Sequence, residues 1–260
     1  MLADSSPVSI GAGVFARDVQ RPASFRRNLI GFIAQELPKW RDHPLRRPET
    51  AETLLTSQLC AHLNSATRLS PGWDILQFRV EEPDEQHRGR KIDLVPSASG
   101  ATIWIEGRAH SHYDSLLPIE CKRLPVPADP RRDAREYLHS ALSTTGGIQR
   151  FKAGHHGGAH DEALMIAYVQ SDTLDQWVER MGDWVAALVA DNGLDWTDSE
   201  ALRSVARPDP LLMRLESTHA RAGALSAIQI SHLWIDMAAP SRATANPTRP
   251  EVRSATGPGA

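Results

Sequence analysis

The stretch from Leu116 to Leu124 reads Leu-Leu-Pro-Ile-Glu-Cys-Lys-Arg-Leu. If it is a strand, Glu120 and Lys122 share one face, while Ile119 and Cys121 point to the other. An acid and a lysine on an otherwise apolar strand cost free energy to bury. A metal ion or a phosphate group would compensate for that. Asp93 repeats the pattern as a lone acid between Ile92 and Leu94 in the run Lys91 to Val95. Two neighbouring strands that each present a carboxylate would offer a pair of hard oxygen ligands. Magnesium takes one or two carboxylates, keeps several waters and accepts phosphate oxygens. A lysine beside such a site stabilises charge that grows on a phosphoryl group. The competing reading of the Glu-x-Lys triplet is a surface ion pair on an edge strand. Asp114, six residues before Glu120, is the alternative aspartate, but its neighbours from His110 to Ser115 read as a polar connection.

The elements that must position these residues follow from periodicity. Apolar residues Phe25, Leu29, Ile30, Phe32, Ile33 and Leu37 predict a helix capped by Ser24 and ending before Pro44. A second helix follows Pro48, with Leu55, Leu59 and Leu63 on one stripe. Pro71-Gly72 marks a turn, and Trp73 to Glu81 alternates as a strand. The polar run from Glu82 to Gly89 reads as a hairpin loop. Lys91–Val95, Thr102–Glu106 and Leu116–Leu124 are further strands, and Arg131–Leu142 reads as a helix ended by Gly146-Gly147. The short apolar run Ala163–Gln170 suits a buried strand. Thr173–Ala190 is the clearest amphipathic helix. Two late strands, Leu211–Thr218 and Ala227–Asp236, complete an α/β fold with a central mixed β-sheet flanked by helices.

Composition sets outer bounds. The chain has 260 residues, of which 41% are hydrophobic and 23% charged, ordinary values for a globular protein with a sizeable core. Its 29 basic and 32 acidic residues give a net charge of -3, so nucleic-acid contact would need a local basic surface. Cys60 and Cys121 lie far apart, which argues against a disulfide framework or a cysteine zinc site. His155, His156 and His160 do not make a convincing zinc motif either, because Gly157-Gly158 disfavours the helix that would pair them. There is no GxSxG, P-loop or GxGxxG pattern, so any ATPase or targeting step would fall to a partner protein. No apolar run is long enough to span a bilayer. With no secretory signal apparent, a cytoplasmic protein is expected. Residues 1–23 and 239–260 read as flexible tails, the latter carrying Pro240, Pro247, Pro250 and Pro258 with Val252 its one sizeable apolar side chain. That leaves 24–238 as one domain.

Asp93 followed by Glu120-Cys121-Lys122 resembles the D…ExK signature of the PD-(D/E)xK, restriction-endonuclease-like nuclease superfamily, although Ile92 replaces the proline of the name. The helix from Glu52 to Asn64 resembles the first core helix of bacterial members, in which an acid near the helix start reaches the metal site. Glu52 is the candidate, with Glu49 the alternative. Gly147 to His156 resembles a G-[LIM]-x-R-F-x-x-G-x-Y segment, with His156 in place of the aromatic. Ser217, His219 and Arg221, followed by the apolar run from Ile228, resemble a late S-x-H-x-R element and the final strand. Together these matches run from residue 48 to 236.

The resemblance implies a restriction-endonuclease-like core and a Mg2+-dependent DNA endonuclease, with Mn2+ as a substitute, in bacterial phage defence or restriction. Asp93, Glu120, the Cys121 carbonyl and Glu52 would be metal ligands, and Lys122 would orient or activate water. Gln149, Arg150, Lys152 and Arg123 would contact nucleic acid. Seven basic residues against three acids between Lys122 and Lys152 agree with that. A homodimer would supply the two sites needed to cut both strands. The alternative is a catalytically silent nucleic-acid-binding or assembly module on the same fold.

Overall fold

A computed structural model describes residues 24–85, 89–100, 102–105, 107–142, 146–191 and 194–238. The expected tails, 1–23 and 239–260, lie outside the described residues, as does Glu106 at the end of an expected strand. The elements in chain order are α1 (Ser24–Arg41), α2 (Glu52–Leu69), β1 (Leu76–Pro83), β2 (Lys91–Ala98), β3 (Ile103–Ile105), β4 (Arg108–His110) and β5 (Ile119–Leu124). They continue with α3 (Gly147–Lys152), β6 (Glu162–Val169), α4 (Leu174–Ala190), β7 (Arg203–Asp209), β8 (Leu212–His219) and β9 (Ile228–Asp236). A single 3-10 turn, Asp198–Glu200, precedes β7.

Seven strands form one mixed sheet in the order β1-β2-β5-β6-β9-β8-β7. The central strands β5, β6 and β9 run parallel, and the flanking pairs are antiparallel. Parallel strands need helical crossovers that cover both faces, so they become apolar throughout. β6 accordingly carries seven buried residues in succession, from Ala163 to Val169. Its alternate side chains feed two separate cores. Leu164, Ile166 and Tyr168 join α1 and α2, whereas Ala163, Met165, Ala167 and Val169 join α3 and α4.

Each helix is fixed to the sheet by its apolar stripe plus local polar ties. In α2, Leu55, Leu59 and Leu63 are fully buried at four-residue spacing. Asn64 clamps this helix to β1: its amide oxygen accepts from Phe78 N at 2.9 Å, and its NH2 donates to Phe78 O at 2.9 Å. Thr173 caps α4 in a reciprocal capping box with Gln176.

The expected helix over Arg131–Leu142 is not formed; this stretch is a series of turns. The cause is local. Asp133 accepts hydrogen bonds from Arg135 N and Ala141 N, and Asp129 accepts from Arg131 N, so the aspartates draw the backbone into side-chain-capped turns. The carbonyls of Glu136, Tyr137 and Leu138 are then taken by the N–H groups of Gly147, Ile148 and Gln149. Gly146-Gly147 thus starts α3 as well as breaking the preceding segment. A Cβ on Gly147 would lie 2.6 Å from the Tyr137 carbonyl oxygen, which is why only glycine permits this approach. Two strands had no sequence signal: the three-residue β4, and β7, which is exposed along nearly its whole length. β1 begins later and ends later than expected, because Trp73 to Ile75 complete the turn and pairing runs on to Pro83↔Lys91.

Behind the sheet runs a buried polar chain. Trp234 Nε1 donates to the Tyr137 hydroxyl, which lies 2.8 Å from His232 Nδ1. His232 Nε2 meets Ser217 Oγ, which also meets His219 Nε2 at 2.7 Å. Burial, followed by the nearby His219, holds His232 down to about 3. The folded protein keeps this imidazole neutral while the unfolded chain protonates it near pH 6.5. Its stabilising contribution is therefore complete above pH 6.5 and is lost as pH falls toward 3. Between pH 6.5 and 4.5 His232 should remove roughly 1 kcal/mol of stability per pH unit of acidification, while Asp93, pushed up to about 7, acts in the opposite direction over the same range. The His232 part is read from urea unfolding: the stability of wild type relative to His232→Gln should fall as the pH is lowered.

Candidate active site

The site forms where β2 and β5 part. Their ladder includes the pair Leu94↔Ile119. Next to it, Cys121 N donates to the Asp93 carboxylate Oδ2 at 2.8 Å, a side chain standing in for the strand-to-strand acceptor. Asp93 is thereby anchored at the opening of the sheet. On β5, Glu120 is fully buried and Lys122 is 4% exposed.

Lys122 Nζ is the centre of the arrangement. It lies 2.7 Å from Glu120 Oε1, 3.1 Å from the Cys121 carbonyl oxygen, 3.4 Å from Glu52 Oε1 and 3.7 Å from Asp93 Oδ2. The four oxygens assigned from sequence to a metal thus converge on one ammonium. Glu52 arrives from the first turn of α2, and its other oxygen accepts from Arg123 N at 2.9 Å. Arg123 Nη1 and the Gln170 amide both donate to Thr50 O, tying the start of α2 over the ends of β5 and β6. Glu52, not Glu49, makes these contacts. Asp114 is engaged elsewhere, closing a turn through Ser111 N and Oγ.

Two further groups contact Glu120. Arg150 Nη1 on α3 donates to Oε1 at 2.7 Å, and His156 Nδ1 lies 3.2 Å from Oε2. His156 reaches this position because the chain turns at Gly157, whose φ is +62° and whose N–H donates to the buried Asp84 carboxylate. Burial acts to raise the Glu120 carboxyl, but Lys122, His156 and Arg150 outweigh it and hold it well below the usual carboxylate range. Asp93 goes the other way: burial, then the Glu120 charge, push it up to about 7. Burial opposes the charge on Lys122, yet Glu120, Asp93 and Glu52 prevail and raise it above the usual lysine range. Lys122 is a fixed cation. The Cys121 thiol points into the α1–α2 core and is pushed up by burial, so only its carbonyl belongs to the site.

Asp93 lines two clefts. One, of about 360 Å³, is also lined by Arg90, Lys91, Arg150, His155 and His156; the other, of about 200 Å³, by Glu52, Thr53, Thr56, Ser57, Val80 and Glu81. The basic cleft therefore opens directly onto the acidic cluster.

No family model, curated protein or solved structure matches this chain.

Of the nucleic-acid candidates, Arg150 lines the basic cleft and Arg123 supports the start of α2. Gln149 and Lys152 lie apart from that cleft, and the Lys152 side chain is engaged elsewhere. Its ammonium is buried on Glu200 Oε1, donates to Asp195 O and sits 4.9 Å over the Trp196 ring, so it is an internal ion pair. Gln149 accepts from Ser140 N, away from the cluster. Sequence reasoning missed Arg90 and Lys91 in the cleft, although the basic run Gly89-Arg90-Lys91 immediately precedes the Asp93 strand. It also left His156 without a role at this site, having weighed it only as a zinc ligand and as a departure from a pattern. No helix among the described residues is long and apolar enough to cross a membrane.

Removing the central cation should leave buried Glu120 without one of its two closest partners. Lys122→Met should lower unfolding stability at pH 7 by about 3–5 kcal/mol, measured by urea denaturation. Arg123→Ala, which affects only the support of α2, should lose about 1 kcal/mol.

Proposed function

We propose that the protein is a metal-dependent nuclease that hydrolyses DNA phosphodiester bonds, most simply as an endonuclease. The observation that carries the reading is the convergence of Asp93, Glu120, Glu52 and the Cys121 carbonyl on Lys122 Nζ, at the mouth of a cleft lined by Arg90, Lys91 and Arg150. The spacing of these residues along β2 and β5 is that of the restriction-endonuclease-like resemblance. A setting in phage defence or DNA restriction rests on that resemblance alone.

The donor set suits magnesium or manganese, being three carboxylates and a carbonyl, all hard oxygens. Asp93, Glu120, Glu52 and the Cys121 carbonyl would hold the ion. When bound, it supplies Lewis-acid stabilisation of charge on the phosphoryl oxygens.

The chain's own residues do the rest. Arg150, Arg90 and Lys91 attract the phosphates of the strand and set its register without reading sequence. Lys122, surrounded by acceptors and held charged, cannot take a proton from water; it acts as a donor to the phosphoryl oxygens as their charge grows. His156 and Arg150 fix the Glu120 carboxylate so that it neither rotates nor protonates.

A silent binding or assembly module is the second reading, and one observation favours it. Among the described residues no three His, Cys, Asp or Glu side chains stand ready to hold a metal ion, and the Lys122 ammonium takes the central place. The two readings part in one assay. Plasmid, linear duplex, single-stranded DNA and RNA are incubated with and without Mg2+ or Mn2+. Cutting that requires the cation and falls at least about a hundredfold in Asp93→Ala and Lys122→Ala supports the enzyme. DNA retention that is indifferent to cation and to both substitutions, with no cutting, supports the module and contradicts the proposal.

A further inference from the structure

The second of the two clefts that Asp93 lines, about 200 Å³ between the start of α2 and the strand pair β1–β2, differs in chemistry from the first. Its walls carry Thr53 and Ser57, one helical turn apart on α2 and both exposed, together with the exposed Val80 of β1. The carboxylates of Glu52, Glu81 and Asp93 complete the rim. Among the described residues no lysine or arginine lines this cleft, whereas Arg90, Lys91 and Arg150 line the other. A polyanion crossing the cluster therefore meets positive charge on one side and oxygen acceptors on the other.

β1 leaves its regular ladder beside this cleft. The pairs Val80↔Leu94 and Glu82↔Ile92 place Glu81 opposite Asp93, and the ladder skips that pair. Glu81 has φ +53°, in the left-handed region that a residue with a side chain occupies only at a cost. Carboxylates directly opposite one another repel, and Glu81 Oε2 lies 2.7 Å from Lys91 Nζ instead. Glu52 is likewise tied to Lys122 and to the Arg123 N–H. Backbone strain is retained where the surroundings enforce it, and here it lies across the sheet from the aspartate of the cluster.

We infer that this cleft receives one unstacked nucleobase from the nucleotide joined to the scissile phosphate, and that the substrate is therefore single-stranded DNA or an unpaired stretch of a duplex. The identity of the ligand rests on the nuclease reading above. The volume is below that of a drug-sized site and suits a single base. The carboxylates accept from the amino and imino groups of a base, the Thr53 and Ser57 hydroxyls donate or accept, and Val80 offers an apolar contact. The same carboxylates keep phosphates out of the cleft and leave them to Arg90, Lys91 and Arg150. A base within a duplex must leave its stack and its partner to enter, a cost from which a single strand is largely exempt.

The test compares cutting of a single-stranded oligonucleotide with cutting of the same sequence as a duplex, both with Mg2+ and the full chain. The wild type should cut the single strand at least about tenfold faster. Ser57→Phe, whose ring fills the cleft from the exposed face of α2, should lower that rate at least about tenfold while the circular dichroism spectrum stays that of the wild type. Thr53→Ala should lower it about fivefold. Base entry is read separately, without Mg2+, from a single strand carrying 2-aminopurine, which brightens as a base leaves its stack; Ser57→Phe should abolish the rise. A wild-type chain that cuts nothing but gives a rise abolished by Ser57→Phe would keep the base in the cleft and remove the nuclease reading. Equal rates on the two substrates, or cutting and a fluorescence rise that survive Ser57→Phe, would overturn the inference and leave the nuclease reading standing. With neither cutting nor a rise, both fall.

Discussion

The ion pair between Glu120 and Lys122 governs this structure. Both side chains belong to a central strand whose neighbours are apolar on both faces, and both are almost completely removed from water. Desolvating two charges costs several kcal/mol each, and their mutual attraction offsets that only when further partners saturate them. The fold brings those partners from every side: Asp93 from β2, Glu52 from α2, Arg150 from α3 and His156 from the loop after it. The cluster is therefore a structural commitment as well as a chemical one. A hydrophobic pair at 120 and 122 would pack in the same sheet without any of these ties.

The same constraint explains the departures from regular structure nearby. β2 and β5 separate beside Leu94↔Ile119, and the Asp93 carboxylate satisfies the Cys121 N–H there. That opening lets Glu52, from the helix layer on one side, reach the Lys122 ammonium that Glu120 holds. α3 is only six residues long, yet its N–H groups are met by the carbonyls of Glu136, Tyr137 and Leu138. This anchoring gives Arg150 a fixed reach to Glu120.

Much of this was legible in the residues because it depends on spacing within single elements. The faces of β5, the buried run of β6, the leucine stripe of α2 and the amphipathic α4 follow directly from periods of two and 3.6. What was not legible came from contacts between segments distant in sequence. The Arg131–Leu142 stretch has helical composition, but its carbonyls serve α3 and its aspartates cap turns. Lys152 looks like a solvent-facing cation two residues from Arg150, and nothing local shows that Glu200 and Trp196 enclose it. β7 is exposed along nearly all its length, so no alternation of apolar residues could mark it. Arg90 and His156 enter the site because loops fold back over it, which no single-segment pattern encodes.

The central claim is that the four oxygens gathered by Lys122 can also receive a divalent cation. Manganese binding, followed by the loss of the free Mn2+ electron paramagnetic resonance signal as protein is added, addresses it directly. The account predicts saturable binding to the wild-type chain, displaced by excess Mg2+, and strongly weakened in Asp93→Asn and in Glu52→Gln, whose folds the Lys122–Glu120 pair still supports. Binding of equal strength in both variants, or no binding to the wild-type protein at millimolar cation, would contradict it and leave the cluster as an internal ion-pair network.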